Sequence, residues 1–138
     1  MTDMTDMTST MKLNHLSFPS TDLAATAAFF EKHLGFTIDM KMDRAYILKR
    51  PGFDVVIDRA TDAAQQWPKN FHVGFELPTA ADVQMLHDRF AADGVHMETG
   101  IHNNGRGSRF FCRAPGGVMF EINTRADAAP EYRGTFNN

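Results

Sequence analysis

The strongest constraint on this chain is that one order of elements is written twice. "KLNHLSF" alternates as a strand does, "PSTD" offers helix-start residues, and Leu23, Ala27, Phe30 and Leu34 recur at helical spacing until Gly35. "FTIDM", "AYILK" and "FDVVID" then read as short strands, the last two joined by the turn "RPG". The order returns in "NFHVGFEL", in a helix with Val83, Leu86 and Phe90 on one side that ends at Gly94, and in "VHMETGI", "RFFCR" and "VMFEIN", with "APGG" as the matching turn. Each copy is β-α-β-β-β. One such copy leaves a sheet face uncovered, so two copies imply a shared core or a common cleft.

The expected class is therefore α+β: two βαβββ modules forming open, curved mixed sheets with helices on the outer face. The modules span 11–58 and 71–123 and together make a single domain over 11–123. Residues 1–10, with the repeat "MTDMTDMT", lack a packable periodicity and are expected to form a flexible tail. The C-terminal tail, 124–138, is marked by Pro and Gly and is expected to be irregular, covering an opening or reaching a partner subunit.

A chain of 138 residues with 43% apolar and 22% charged residues suits one folded domain. Its formal net charge is −3 and its Lys and Arg residues are scattered, which argues against nucleic acid as a partner. Cys112 is the single cysteine, so neither an intrachain disulfide nor a cysteine-only metal site is available. No apolar run approaches the roughly 20 residues that span a bilayer, and the start does not read as a secretory signal. The expected location is cytoplasmic, away from membranes.

Strand parity isolates three polar residues. In "FHVGFEL" the apolar phase is Phe71, Val73, Phe75 and Leu77, and His72 lies out of it with Gly74 and Glu76. In "VMFEIN" the packing phase is Val118, Phe120 and Ile122, and Glu121 lies out of it with Met119 and Asn123. His15 stands opposite the Leu16–Phe18 phase. Two imidazoles and a carboxylate suit a divalent first-row metal and leave coordination positions open. From parity alone, hydrogen-bonded structural histidines and a solvated glutamate explain the same pattern. The loop "GIHNNGRGSRFF" adds Arg106 and Arg109, which suit a carboxylate or phosphate, or are simply solvated. Trp67, between the modules, either walls a ligand pocket or packs at their boundary.

Three stretches, "LNHLSFPSTDLAATAAFFEKHLGF", "FHVGFEL" and "SRFFCRAPGGVMFEI", resemble the vicinal oxygen chelate superfamily. It includes glyoxalase I, methylmalonyl-CoA epimerase, extradiol dioxygenases, fosfomycin-resistance enzymes and metal-free bleomycin-resistance proteins. The resemblance implies that His15, His72 and Glu121 are metal ligands; Glu121 is also the candidate catalytic residue, and Arg106, Arg109 and Trp67 are the candidate substrate contacts offered by the loop and the linker. The resemblance also implies a divalent metal ion (Fe, Mn, Zn or Ni), a small oxygen-chelating substrate, and a homodimer. The expected activity is that of a glyoxalase-like enzyme, a lyase or isomerase or a dioxygenase. The alternatives are a fosfomycin-type thiol transferase and a non-catalytic bleomycin-resistance-like binding protein. One departure matters: Val56, or Ile57 after a one-residue shift, stands where glyoxalase I has a fourth ligand, and Asp54 and Asp58 lie two residues from Val56.

Overall fold

The computed structural model of the chain describes residues 4–62 and 66–136. It forms two compact units, divided in the chain at residues 63 and 64.

The first unit contains helix α1 (Met4–Ser9), strand β1 (His15–Ser20), helix α2 (Leu23–His33) and strands β2 (Thr37–Lys41), β3 (Ala45–Lys49) and β4 (Asp54–Arg59). The sheet order is β1-β4-β3-β2, with β1 parallel to β4 and the other neighbours antiparallel. The β1 ladder begins at His15 and runs through Pro19 and Ser20, later than the expected "KLNHLSF". Proline is tolerated because β1 is an edge strand. Asp22 caps α2 by accepting from the Ala25 amide at 3.0 Å. Gly35, at φ 75°, lets the chain leave the helix so that Phe36 N–H bonds the Phe30 carbonyl at 3.3 Å. Leu23, Ala27 and Phe30 bury the apolar stripe of α2 against Leu48, Val55 and Ile57 of the sheet unit's core. The segment expected to be loose carries α1, whose end Thr10 closes through its hydroxyl on the Met7 carbonyl.

The second unit repeats the design with β5 (His72–Glu76), α3 (Ala80–Ala92), β6 (His96–Met97), β7 (Arg109–Arg113), β8 (Met119–Asn123) and a 3-10 turn at Pro130–Tyr132. The order β5-β8-β7-β6 reproduces that of the first sheet, again with one parallel pair, β5 and β8. Together the units give the two open mixed sheets of an α+β fold. Thr79 and Asp82 form a reciprocal capping box at the start of α3. Val83 and Phe90 of α3, with Phe110, Phe120 and Ile122, make a fully buried core. The expected strand "VHMETGI" shrinks to two residues. Glu98 and Thr99 both direct their amides at the Phe111 carbonyl, at 2.8 and 3.2 Å, and this shared acceptor ends the regular ladder.

Parity in β8 holds on the helix side, where Phe120 and Ile122 are buried. The opposite face is buried too: Met119, Glu121 and Asn123 are 8%, 8% and 3% exposed. The strand is central in its sheet, so a carboxylate on it is withdrawn from water.

Candidate metal and ligand site

Strands β5, β7 and β8 of the second unit, with the loop before β7 and the C-terminal segment, build one cavity of about 620 Å³, a size suited to a small-molecule ligand. Strand β5 contributes His72, Gly74 and Glu76, and β8 contributes Glu121 and Asn123. Arg106, Arg109 and Phe111 enter from the loop before β7 and from β7 itself. Arg125 and Phe136 close the lining from the C-terminal segment.

His72 begins β5, an edge strand, and Glu121 lies on the neighbouring central strand β8. Gly74 pairs with Glu121 and offers only hydrogen above the sheet, so no side chain from β5 stands over the carboxylate. His72 Nδ1 donates to the Asn70 carbonyl at 2.8 Å. A carbonyl only accepts, so the proton is on Nδ1 and Nε2 presents its lone pair. That Nε2 lies 3.7 Å from Glu121 Oε1. The other carboxylate oxygen, Oε2, accepts from Asn123 Nδ2. Phe111 meets the His72 ring edge-on at a centroid distance of 5.2 Å, and His102 stacks behind Phe111 at 6.1 Å.

This donor pair fits a divalent cation. Two bonds of about 2.1 Å span at most about 4.2 Å, so one ion can touch both atoms at the observed separation. The acceptor on Nδ1 is the outer partner that fixes a metal-ligating imidazole. Among the described residues no three His, Cys, Asp or Glu side chains form a ready cluster; His72 and Glu121 are the pair that the second unit brings together. His15, in the first unit, has the same character: it begins an edge strand, is exposed, and places Nδ1 2.7 Å from Asn14 Oδ1, leaving Nε2 open.

Arg106 and Arg109 do line the cavity with His72 and Glu121. Trp67 is not among the lining residues. Its Nε1 donates to the Gly116 carbonyl at 3.1 Å and its ring stacks on Phe71, so it packs against the β7–β8 turn. A Cβ on Gly117 would approach the indole to 2.9 Å.

The loop that carries the arginines is fastened to the segment after β8. Asp127 accepts from the Ser108 amide at 2.9 Å and from its hydroxyl at 2.5 Å. Asn103 Oδ1 accepts from the amides of Gly105 and Gly107, at 2.9 and 3.1 Å. Burial opposes ionisation of Asp127, but the Ser108 bonds outweigh it and hold the carboxyl below its ordinary value. Gly107 is required here: at φ 103°, a Cβ would lie 1.9 Å from the Thr124 carbonyl oxygen.

Sequence reasoning missed Asn123, Arg125 and Phe136 as site residues. Asn123 shares the strand phase of Glu121, a signal that was present. Arg125 and Phe136 lie in a stretch without periodicity, where no such signal exists. Cys112 is fully buried, and burial pushes its thiol up to about 12, so it belongs to the core.

A family model described as "Glyoxalase/Bleomycin resistance protein/Dioxygenase superfamily" matches residues 12–122. Among solved structures, a possible glyoxalase from Bacillus cereus is 27% identical, with 82% of this chain and 98% of that one covered and a TM-score of 0.71. The genomically encoded fosfomycin resistance protein FosX from Listeria monocytogenes is 21% identical, with 89% and 98% covered and a TM-score of 0.72. A lactoylglutathione lyase from Agrobacterium tumefaciens is 18% identical, with 81% and 92% covered and a TM-score of 0.68. No curated protein matches the sequence.

Proposed function

Because the chain belongs to the Glyoxalase/Bleomycin resistance protein/Dioxygenase superfamily, we propose that it is a divalent-metal-dependent enzyme acting on a small substrate through one or two chelating oxygens. The observation that carries this reading is the facing of two electron-pair donors, His72 Nε2 and Glu121 Oε1, 3.7 Å apart in a cavity. His15, the counterpart of His72 at the start of the equivalent strand, would supply the third protein donor, from the same chain or a second copy.

A bound divalent ion would act as a Lewis acid, stabilising negative charge on substrate oxygens. The protein's own part is positional. The Asn70 carbonyl keeps the His72 proton on Nδ1, and Asn123 holds Glu121 Oε2, so that Oε1 is directed to the shared centre. Glu121 is also the candidate proton acceptor for lyase or isomerase chemistry; dioxygenase chemistry would use the same donors. Phe111, against the His72 ring, keeps that side of the centre apolar.

Metal uptake tests the proposal. Purified chain should take up Mn²⁺, Fe²⁺, Zn²⁺ or Ni²⁺ to one ion per chain, and His72→Ala and Glu121→Gln should each remove most of that capacity. Absence of uptake in the unmodified protein for all four metals rejects it. Assembly as a homodimer is part of the same reading. Sedimentation equilibrium at micromolar concentration should give twice the mass of one chain; a single monomeric species across the range excludes the dimer.

A further inference from the structure

We infer that the cavity of the second unit contains an oxyanion subsite centred on Arg125, so that its ligand carries a carboxylate, phosphate or phosphonate group. Calling that ligand the substrate rests on the function proposed above; the subsite itself does not.

Arg125 lines the cavity yet is only 9% exposed. Among the described residues no carboxylate lies within ion-pair distance of it, nor of Arg106 or Arg109. A guanidinium withdrawn from water without a counter-ion is strongly disfavoured. Its observed partners offset this only in part. Nη1 donates to the Arg106 carbonyl, and the Phe136 ring lies over one face at 4.4 Å from Cζ. Nε is buried, with no hydrogen-bond partner among the described residues. A ring on one face and a buried Nε leave the outer, in-plane Nη side of the guanidinium to meet a cavity ligand, and guanidinium N–H groups match the oxygens of a carboxylate or phosphonate.

The acids nearby do not supply that anion. Asp127, two residues on, directs both oxygens to Ser108. Glu121 is held by Asn123 and faces His72. Glu76 is exposed, and three guanidiniums face two carboxylates in the lining. Asn123 Oδ1, also buried and without a hydrogen-bond partner among the described residues, is an acceptor and draws no anion toward itself. The cationic end of the cavity is thus the Arg125 end. It is rigidly made, because the loop 103–108 is fastened to the segment after β8 through Asn103, Ser108 and Asp127. Little ordering remains to be done when a ligand arrives.

The test uses full-length protein dialysed against EDTA, so that no metal contributes. Phenylphosphonate and benzoate are titrated, with benzyl alcohol as the uncharged control, while the Arg125 Nε–H resonance and the heat of binding are followed. Both anions should shift that resonance saturably, and the alcohol should bind about ten-fold or more weakly, the difference one charge-assisted bond confers. Arg125→Gln should abolish the preference for anions, and Arg109→Gln, at a less buried position, should weaken it several-fold if the first variant fails to fold. Equal binding of alcohol and anions, or no saturable shift of Arg125 in the unmodified protein, overturns the inference. Manganese uptake measured on separate aliquots keeps the two readings apart: anion binding without metal uptake leaves the subsite standing and removes the metal centre.

Discussion

Val56 occupies in β4 the register position that Glu121 occupies in β8. Ser17, two residues after His15, pairs with Val56; Gly74, two residues after His72, pairs with Glu121. The first sheet therefore has a half-buried aliphatic side chain at the place where the second has its carboxylate. Its nearest acids are already engaged. Asp54 pairs with Lys49 at 2.9 Å, and Asp58 accepts from the Ser17 hydroxyl at 2.5 Å.

Glyoxalase I chemistry should accordingly be absent or poor. The hemithioacetal of methylglyoxal and glutathione, offered with Zn²⁺, Ni²⁺, Co²⁺ or Mn²⁺, should not turn over at ordinary enzyme rates of about 1–1,000 per second. Turnover in that range would show that another group replaces the missing carboxylate. Oxygen uptake with catechols under Fe²⁺ would point to the dioxygenase branch.

The two histidines should respond differently to loss of their neighbours. The His15 partner is a side-chain oxygen, Asn14 Oδ1, whereas the His72 partner is the backbone carbonyl of Asn70. Asn14→Ala should weaken metal binding by about 10-fold or more, the usual effect of removing an outer-sphere partner. Asn70→Ala should leave it nearly unchanged. Competition titration with a chromophoric chelator measures both, and equal effects would remove His15 from the ligand set.

Gly107→Ala should destabilise the chain by about 2–4 kcal/mol, through a left-handed backbone position and a collision with the Thr124 carbonyl. The denaturant midpoint reads the loss. Gly100→Ala, whose added Cβ meets no atom of the described residues within 4 Å beyond its chain neighbours, is the matched control and should be nearly neutral.

Acid should loosen the arginine loop. The Asp127 carboxyl is lowered from its ordinary value of 3.8, so its contribution is complete above that value and is lost as pH falls through the lowered one. Hydrogen exchange at the Ser108 amide, corrected for its intrinsic pH dependence, should show protection falling in that acid window. Asp127→Asn should show no such step.

Cys112 should resist thiol reagents in the native state. It has no exposed surface, its thiol is pushed up to about 12, and Sγ lies 3.6 Å from Met97 Sδ. Labelling by Ellman's reagent at pH 8 should follow global unfolding; fast labelling of folded protein would contradict this burial.

Much of the candidate site was legible because a strand carries two messages in alternate residues. The apolar phase of Val118, Phe120 and Ile122 identified a packing face, and Glu121 was left over; the same logic left His72 in β5. Arg106 and Arg109 stood out through their glycine-rich loop. Arg125 did not, because its place depends on bonds across 19 and 24 residues, Ser108 to Asp127 and Asn103 to the Asp127 carbonyl, which leave no local period. Trp67 stayed open in the sequence for a related reason: a lone indole beside a proline says that something covers it, but not whether ligand or chain does so. The brevity of β6 was equally hidden, since two amides sharing the Phe111 carbonyl is a matter of geometry between strands.

The burial of β8 on both faces has a consequence for how such a chain can change over generations. A slip of one residue would turn Glu121 and Asn123 into the helix-packed core and bring Phe120 and Ile122 into the cavity. Insertions or deletions within β8 therefore strike folding and chemistry together and leave no viable intermediate. The cavity's other walls, the loop 103–108 and the segment after Asn123, are fixed by side-chain bonds and carry no such alternating code. New ligand preferences can arise there by drift, with the His72–Glu121 pair held constant by the ladder beneath it.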